Sequence, residues 1–274
     1  MLEIPESKVI GRQAHQVLAG KTITDVINAT THHKFTWYNG DPLLYKDLLT
    51  GKKIERTNGH GMYVDLHCDG DVHISIGDGT NMQYHQDPGS YSGKHQLLIV
   101  FDDDSYLVFN VAMYGGIFAY QGELENPYYQ GSLNSISPLS DDFDEPFFEN
   151  ILKITKPTLS VKAFLATEQR IPGLGNGVLQ DILFNARIHP KRKIVTLSDS
   201  LKETLFRSVK TTLKEMTIQG GRDTEKDLFG RNGGYKTRLS KNTFHLPCPV
   251  CGSVIVKEAY LGGAVYYCPG CQKL

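Results

Sequence analysis

The chain has 274 residues, enough for one large domain or two ordinary ones, and its composition is that of a soluble globular protein. Net charge is −1, but residues 1–150 hold 9 Lys+Arg against 21 Asp+Glu (−12) and residues 151–274 hold 20 against 9 (+11). This excludes a uniformly basic nucleic-acid binder: a polyanion would engage the second half and be repelled by the first, unless the halves attract each other or are simply solvated surface. No apolar run reaches the ~18 residues of a membrane span and the first residues lack a signal-peptide core, so an intracellular location is expected.

The start, MLEIPESKVIGRQ, sets Glu3 and Glu6 on either side of Pro5 and runs straight into a helical pattern. Val9, Ile10, Val17 and Leu18 have rough helical spacing over 7–19, with Gly20 as a stop. Residues 21–120 read as short strands: KTITDVINA, GMYVDLHC, DVHISIG, HQLLIVF and SYLVFNVAM carry β-branched and aromatic residues between turns such as DG and NG. A sandwich or barrel is predicted. Residues 121–146, acidic and Pro-containing, read as a linker. Beyond about 147 the period turns helical, in SVKAFLATEQ, GNGVLQDILFNAR and the long LSDSLKETLFRSVKTTLKEM with Ser198 as N-cap. Residues 219–243 are Gly-rich and polar and read as a mobile segment.

Near the end, CPVCGSVIVKEAYLGGAVYYCPGC places Cys248, Cys251, Cys268 and Cys271 as two CxxC pairs sixteen residues apart, with a β-ribbon between them. Each CxxC turn offers two thiolates to one ion, so the spacing points to a structural zinc; a redox pair is the alternative for one CxxC but not for two. His245 is close enough to compete as a ligand, but four thiolates already fill a tetrahedral site. Cys68 is most simply a small strand residue. Upstream, IPGLGNGVLQDILFNARIHPKRK opens a helix at Asn176 behind Gly173 and Gly175. The backbone N–H groups there make an anion site, the Asn176 amide can donate to a phosphate, and Arg187, Lys191, Arg192 and Lys193 add charge. The alternative is a plain helix–helix turn with glycines for backbone geometry.

In this order, E-x-P-E, a β-rich first domain, GLGN…IHP and a closing four-cysteine hairpin resemble the formamidopyrimidine-DNA glycosylase/endonuclease VIII family over the whole chain. The resemblance implies an α+β fold. Residues 1–120 form a β-sandwich with an N-terminal helix, 121–146 a linker, 147–243 a helix–two-turn–helix DNA-binding domain and 244–274 a zinc finger, with DNA in the cleft. Members excise a flipped, damaged base and cut the strand by elimination through an N-terminal amine Schiff base. Carried over residue by residue, Glu3, Glu6 and the Met1 amine are catalytic. Gly173, Gly175, Asn176 and Arg187 bind DNA, Asp181 is the acid of the following helix, and the four cysteines hold zinc. Both N-terminal acids would also favour a helix N-terminus for electrostatic reasons alone.

Several family residues are replaced. Leu2 stands at the nucleophilic proline and favours retention of Met1, because aminopeptidases trim ahead of small residues; Met62 stands at a lysine and Gly263 at the zinc-hairpin arginine. Asp78, Tyr114 and Gly115 stand where void-filling side chains are expected, with Tyr114 or Met113 as a wedge. Lost cations weaken phosphate binding and shift it to residues 151–274. The expected function is a damaged-DNA-binding repair glycosylase/AP lyase, monomeric, on double-stranded DNA, cytoplasmic and nucleoid-associated, without membrane contact. The alternatives are a catalytically deficient binder of lesion or branched DNA, and a repurposed scaffold.

Overall fold

The computed structural model describes residues 2–77, 79–87, 91 and 93–274; Met1 and Asp78, both singled out by the sequence, lie outside the described residues. The first half runs α1 (Ile4–Leu18), β1 (Ile23–Asn28), β2 (Thr36–Tyr38), α2 (Tyr45–Leu49), β3 (Ile54–His60), β4 (Tyr63–Cys68), β5 (Val72–Gly77), β6 (Thr80–His85), β7 (Leu97–Phe101), β8 (Tyr106–Val111) and β9 (Gly115–Gln121). A five-stranded sheet, β2-β9-β5-β4-β3, faces a four-stranded sheet, β1-β7-β8-β6. The β-branched and aromatic residues that marked the strands fill the space between them, with Ile23, Leu66, Ile74, Phe101, Phe109 and Ile117 all buried. Cys68 is buried in this core as a strand residue, and burial pushes its thiol up to about 12. Helix α1 begins at Ile4, earlier than its periodicity suggested, because Pro5 in the first turn has no N–H to leave unpaired. It lies directly on β3, where a side chain on either Gly11 or Gly59 would collide with facing backbone.

The stretch 121–146, expected as a linker, carries folded structure of its own. Helix α3 (Pro127–Leu133) is capped by Asn126, whose Oδ1 accepts from the N–H groups of Tyr128 (3.0 Å) and Tyr129 (3.1 Å). Tyr129 and Leu124 pack with Tyr63, Phe118 and Tyr120 of the five-stranded sheet, and Phe143 plugs into the helical half. That half holds α4 (Glu145–Ile154), α5 (Val161–Ala166), α6 (Asn176–Asn185) and α7 (Asp199–Ile218), followed by the hairpin β10 (Val256–Tyr260) and β11 (Gly263–Tyr267). Ser198 caps α7 as expected, accepting from Leu201 N–H at 3.3 Å.

Two contacts tie the halves together at the chain start. Leu2 packs into the sandwich core and Ile4, two residues on, into the helical core. Residues 219–243 are also folded, against expectation: bridges pair Arg222 with Tyr235 and Lys226 with Asn232, Leu228 enters the sandwich core and Tyr235 the helical core. The segment is polar in composition, yet these apolar side chains are spent on packing. No helix of the described residues is long and apolar enough to cross a membrane.

Candidate active site and DNA-facing cleft

Helix α1 delivers both acids to the junction. Glu3 is its N-cap and Glu6 lies one turn on, and both are 3% exposed. The Glu3 carboxylate sits on the N-terminus of α6: Gly177 N–H donates to its Oε1 (2.9 Å) and Val178 N–H to its Oε2 (2.7 Å). Gly175 is required there, since a Cβ would meet Glu3 Oε1 at 2.5 Å. The anion site expected at this helix N-terminus is therefore filled by the chain's own carboxylate rather than left for phosphate.

The partner that sequence reasoning missed is Arg222, 2% exposed. Its Nε and Nη2 donate to Glu6 Oε1 (3.0 Å) and Oε2 (2.8 Å), its own N–H donates to Glu6 Oε1 (3.1 Å), and its Nη1 lies 3.4 Å from Glu3 Oε2. Burial raises the Glu3 pKa, and the charge of Arg222 and the two amides offset only part of that. Burial also works against the charge on Arg222, but the two carboxylates outweigh it and its pKa is raised. The only sequence signal was the pair Gly220 and Gly221, both with φ in the left-handed region, which turn the chain so that Arg222 points inward.

Two cavities flank Leu2. The smaller, about 140 Å³, is lined by Leu2, Glu3, Met62, Tyr114, Gly175 and Asn176 among others. The larger, about 420 Å³, lies between Leu2, Glu6 and Ile10 of α1, Asn81 and Gln83 of β6, and the 224–227 segment. Seven sequence-selected positions thus meet: Leu2, Glu3, Met62, Tyr114, Gly173, Gly175 and Asn176 in one space, with Glu6 next door.

Gly173, in the same lining, is half-buried; its carbonyl accepts from Ile4 N–H at 3.0 Å, and a Cβ on it would collide with Gly61, so the glycine permits close packing there. Others do not meet there. Arg187 follows the far end of α6, eleven residues and about 16 Å along the helix from Asn176, outside both cavities. Asp181 is buried and accepts from the N–H groups of Arg238 (2.9 Å) and Leu239 (2.8 Å), fastening the 235–240 segment to α6; burial pushes its carboxyl up to about 6. Gly263 lies so close to the exposed Asn176 that a Cβ would meet its Nδ2 at 2.8 Å. The hairpin backbone occupies the place next to Asn176, and a cavity shared by Asn176 and Tyr266 is lined by two basic side chains, the buried Arg222 and the exposed Lys241.

The ligand atoms of the four cysteines all lie within 4.8 Å of one another, with Sγ pairs 248–271 at 3.8 Å and 251–268 at 3.3 Å. A tetrahedral ion with bonds of about 2.3 Å to sulfur sets sulfurs about 3.8 Å apart, so the cluster fits one soft metal ion. His245 is exposed and outside the cluster. The hairpin docks on the helical half through Gln180, which donates to Ala264 O (3.1 Å) and accepts from Tyr266 N–H (3.0 Å), and through Lys162, which donates to Tyr260 O.

Residues 135–227 match the model of the formamidopyrimidine-DNA glycosylase H2TH domain. Formamidopyrimidine-DNA glycosylase of Bacillus cereus is 27% identical over 99% of each chain. That of Wolbachia pipientis wMel is 28% identical over 99% of this chain and 100% of its own. Among solved structures, the Lactococcus lactis Fpg in complex with abasic-site DNA aligns with a TM-score of 0.85 at 23% identity, over 99% of this chain and 100% of that one. The MutM (Fpg) protein of Thermus thermophilus aligns with a TM-score of 0.80 at 22% identity, over 98% of each. The chain thus carries the H2TH domain of the formamidopyrimidine-DNA glycosylases, shares their fold, and is similar to members of that family over its whole length.

Proposed function

We propose that this chain is a base-excision-repair protein that binds damaged double-stranded DNA across the cleft and acts as a DNA glycosylase/AP lyase. One observation carries the reading: Leu2 and Glu3 line one cavity with Asn176, between the two halves of the chain. The larger cavity on the other side of Leu2, about 420 Å³, is within the size range of small-ligand pockets and suits an extruded base. The Bacillus and Wolbachia relatives and the abasic-site complex support the substrate class.

In this reading the nucleophile is the primary α-amine of Met1; an N-terminal amine ordinarily titrates near pH 7.7–8.0, so a fraction is neutral at working pH. Its nitrogen attacks C1′ as the glycosidic bond breaks, and the base leaves with the bonding electrons and takes up a proton. Loss of one amine proton, then opening of the sugar ring with protonation of O4′, gives the protonated Schiff base; its charge acidifies C2′, and removal of a C2′ proton then expels the 3′ phosphate. Glu3, which lines a cavity with Leu2 and has a proton affinity raised by burial, is the acid assigned to exchange those protons. Asn176 and the basic groups of residues 236–241 hold phosphate, and the four thiolates hold a structural zinc. Incision of an abasic-site duplex, with tighter binding to it than to intact duplex, is expected; equal binding to the two would refute the reading.

A second reading is favoured by the saturation of Glu3, whose two oxygens already accept from Gly177 and Val178 and face Arg222. A catalytically deficient lesion binder would prefer the abasic duplex without ever incising it.

A further inference from the structure

Beside the cleft, on the sandwich side, lies a cavity of about 600 Å³ with aromatic walls. Strand β2 pairs in parallel with β9, so Trp37 stands level with Gly116, and Gly116 pairs in turn with Gly77 of β5. A Cβ on Gly77 would meet the Tyr63 ring at 2.6 Å, and one on Gly116 would run into the Phe118 ring. The bare backbone lets those two rings lie down as a floor. Trp37 and Tyr114 rise beside it with ring centroids 6.0 Å apart, and Tyr128 of α3 lines the far wall.

Trp37 is 53% and Tyr128 67% exposed, and Phe35 and Met113 extend the same exposed apolar row. A contiguous patch of this kind marks a binding surface more often than an idle one. Among the described residues no Lys or Arg lines the cavity, and the one charged residue that does is Glu125. Met62, Tyr114 and Gln169 line this cavity and also the small one that holds Leu2, Glu3 and Asn176, so the two are neighbours.

We infer that this cavity is a stacking subsite for an unpaired nucleobase of DNA lying in the cleft, an inference that rests on the DNA reading above. Base faces stack on aromatic rings with little regard to sequence. With Glu125 as its charged lining residue, the cavity repels phosphate and takes the base alone. Asn39 and Gln169 offer amides to the polar edge of that base. Met62, standing where a lysine was expected, adds apolar contact in place of a phosphate bond, so stacking replaces part of the lost electrostatic affinity.

Trp37 is the chain's only tryptophan, so its fluorescence reports from inside the cavity. The full-length, metal-loaded protein is titrated with an intact duplex, an abasic-site duplex and a duplex carrying a short bulge, with occupancy followed separately by anisotropy of labelled DNA. Saturable quenching is expected with the bulged and abasic duplexes and not with the intact one. Trp37→Ala and, independently, Tyr128→Ala change exposed side chains on different elements. Each is expected to weaken bulged-duplex binding by about 5- to 150-fold while leaving intact-duplex affinity and the salt dependence unchanged. Unchanged bulged-duplex affinity in both variants, or equal quenching by intact duplex, would overturn the inference while leaving the repair reading standing. A wild-type protein that binds none of the three DNAs would overturn both.

Discussion

Replacing Arg222 by Met removes the one cation from a buried group of three charges. The side chain supplies two hydrogen bonds to Glu6, at 3.0 and 2.8 Å, and the ion contact to Glu3 at 3.4 Å. Two carboxylates then remain together away from water, and breaking a buried pair in this way costs about 3–5 kcal/mol. For a chain of this size that is a fall in Tm of roughly 6–20 °C. The loss should depend on pH with a definite sign. Glu3 already has a folded pKa above the ordinary value of 4.5, so its contribution to stability is greatest below that value and falls as pH rises through the window above it. Removing Arg222, which lowers that pKa, widens the window upward, so the variant loses more at about pH 8 than at about pH 5. Denaturant unfolding at the two pH values measures this, and adding Glu6→Gln to the variant should restore part of the loss. A destabilisation below about 1 kcal/mol, or one that is equal at both pH values, would refute the idea that Arg222 neutralises this pair.

Other outcomes follow from neighbouring parts of the structure. Asp181, with its carboxyl pushed up to about 6 from 3.8 by burial, should make stability fall by about 3 kcal/mol as pH rises between those values; Asp181→Asn should remove that slope from the denaturant midpoint. Met62→Lys restores a cation beside the cleft, and should raise duplex affinity and steepen the slope of log K against log salt by about 0.9 in a titration series. Cys251→Ser, or chelation, should remove one bound zinc per chain by metal analysis. It should also release the hairpin from the cluster of Phe184, Leu239 and Ile255, seen as increased apolar-dye binding with the sandwich still folded.

What was legible in the sequence were features with a local signature. The change from strand to helical period, the Ser198 cap, the helix opening at Asn176 and the paired CxxC turns all depend on residues within a few positions of each other, and all four stand in the structure. The meeting of the N-terminal acids with their partners was not legible. Glu3 reaches Gly177 across 174 positions and Glu6 reaches Arg222 across 216, and no periodicity records such pairings. Composition does not show which polar stretches are folded. Residues 121–146 and 219–243 are mostly polar, but a single Phe143, Leu228 or Tyr235 placed in a core is enough to fix a segment, and averages over a stretch hide it. Gly173 and Gly175 were recognised as special, but that their bare backbones make room for Gly61 and Glu3 could not be read from the sequence.

The proposed chemistry stands or falls on whether the chain start is a working nucleophile, although Leu2 stands where proline was expected. Borohydride reduction of the protein mixed with an abasic-site duplex at neutral pH, followed by peptide mapping of any covalent adduct, addresses this directly. The expected result is an adduct on the α-amine of Met1. Tight binding to the same duplex with no adduct, or an adduct on a lysine instead, would contradict it.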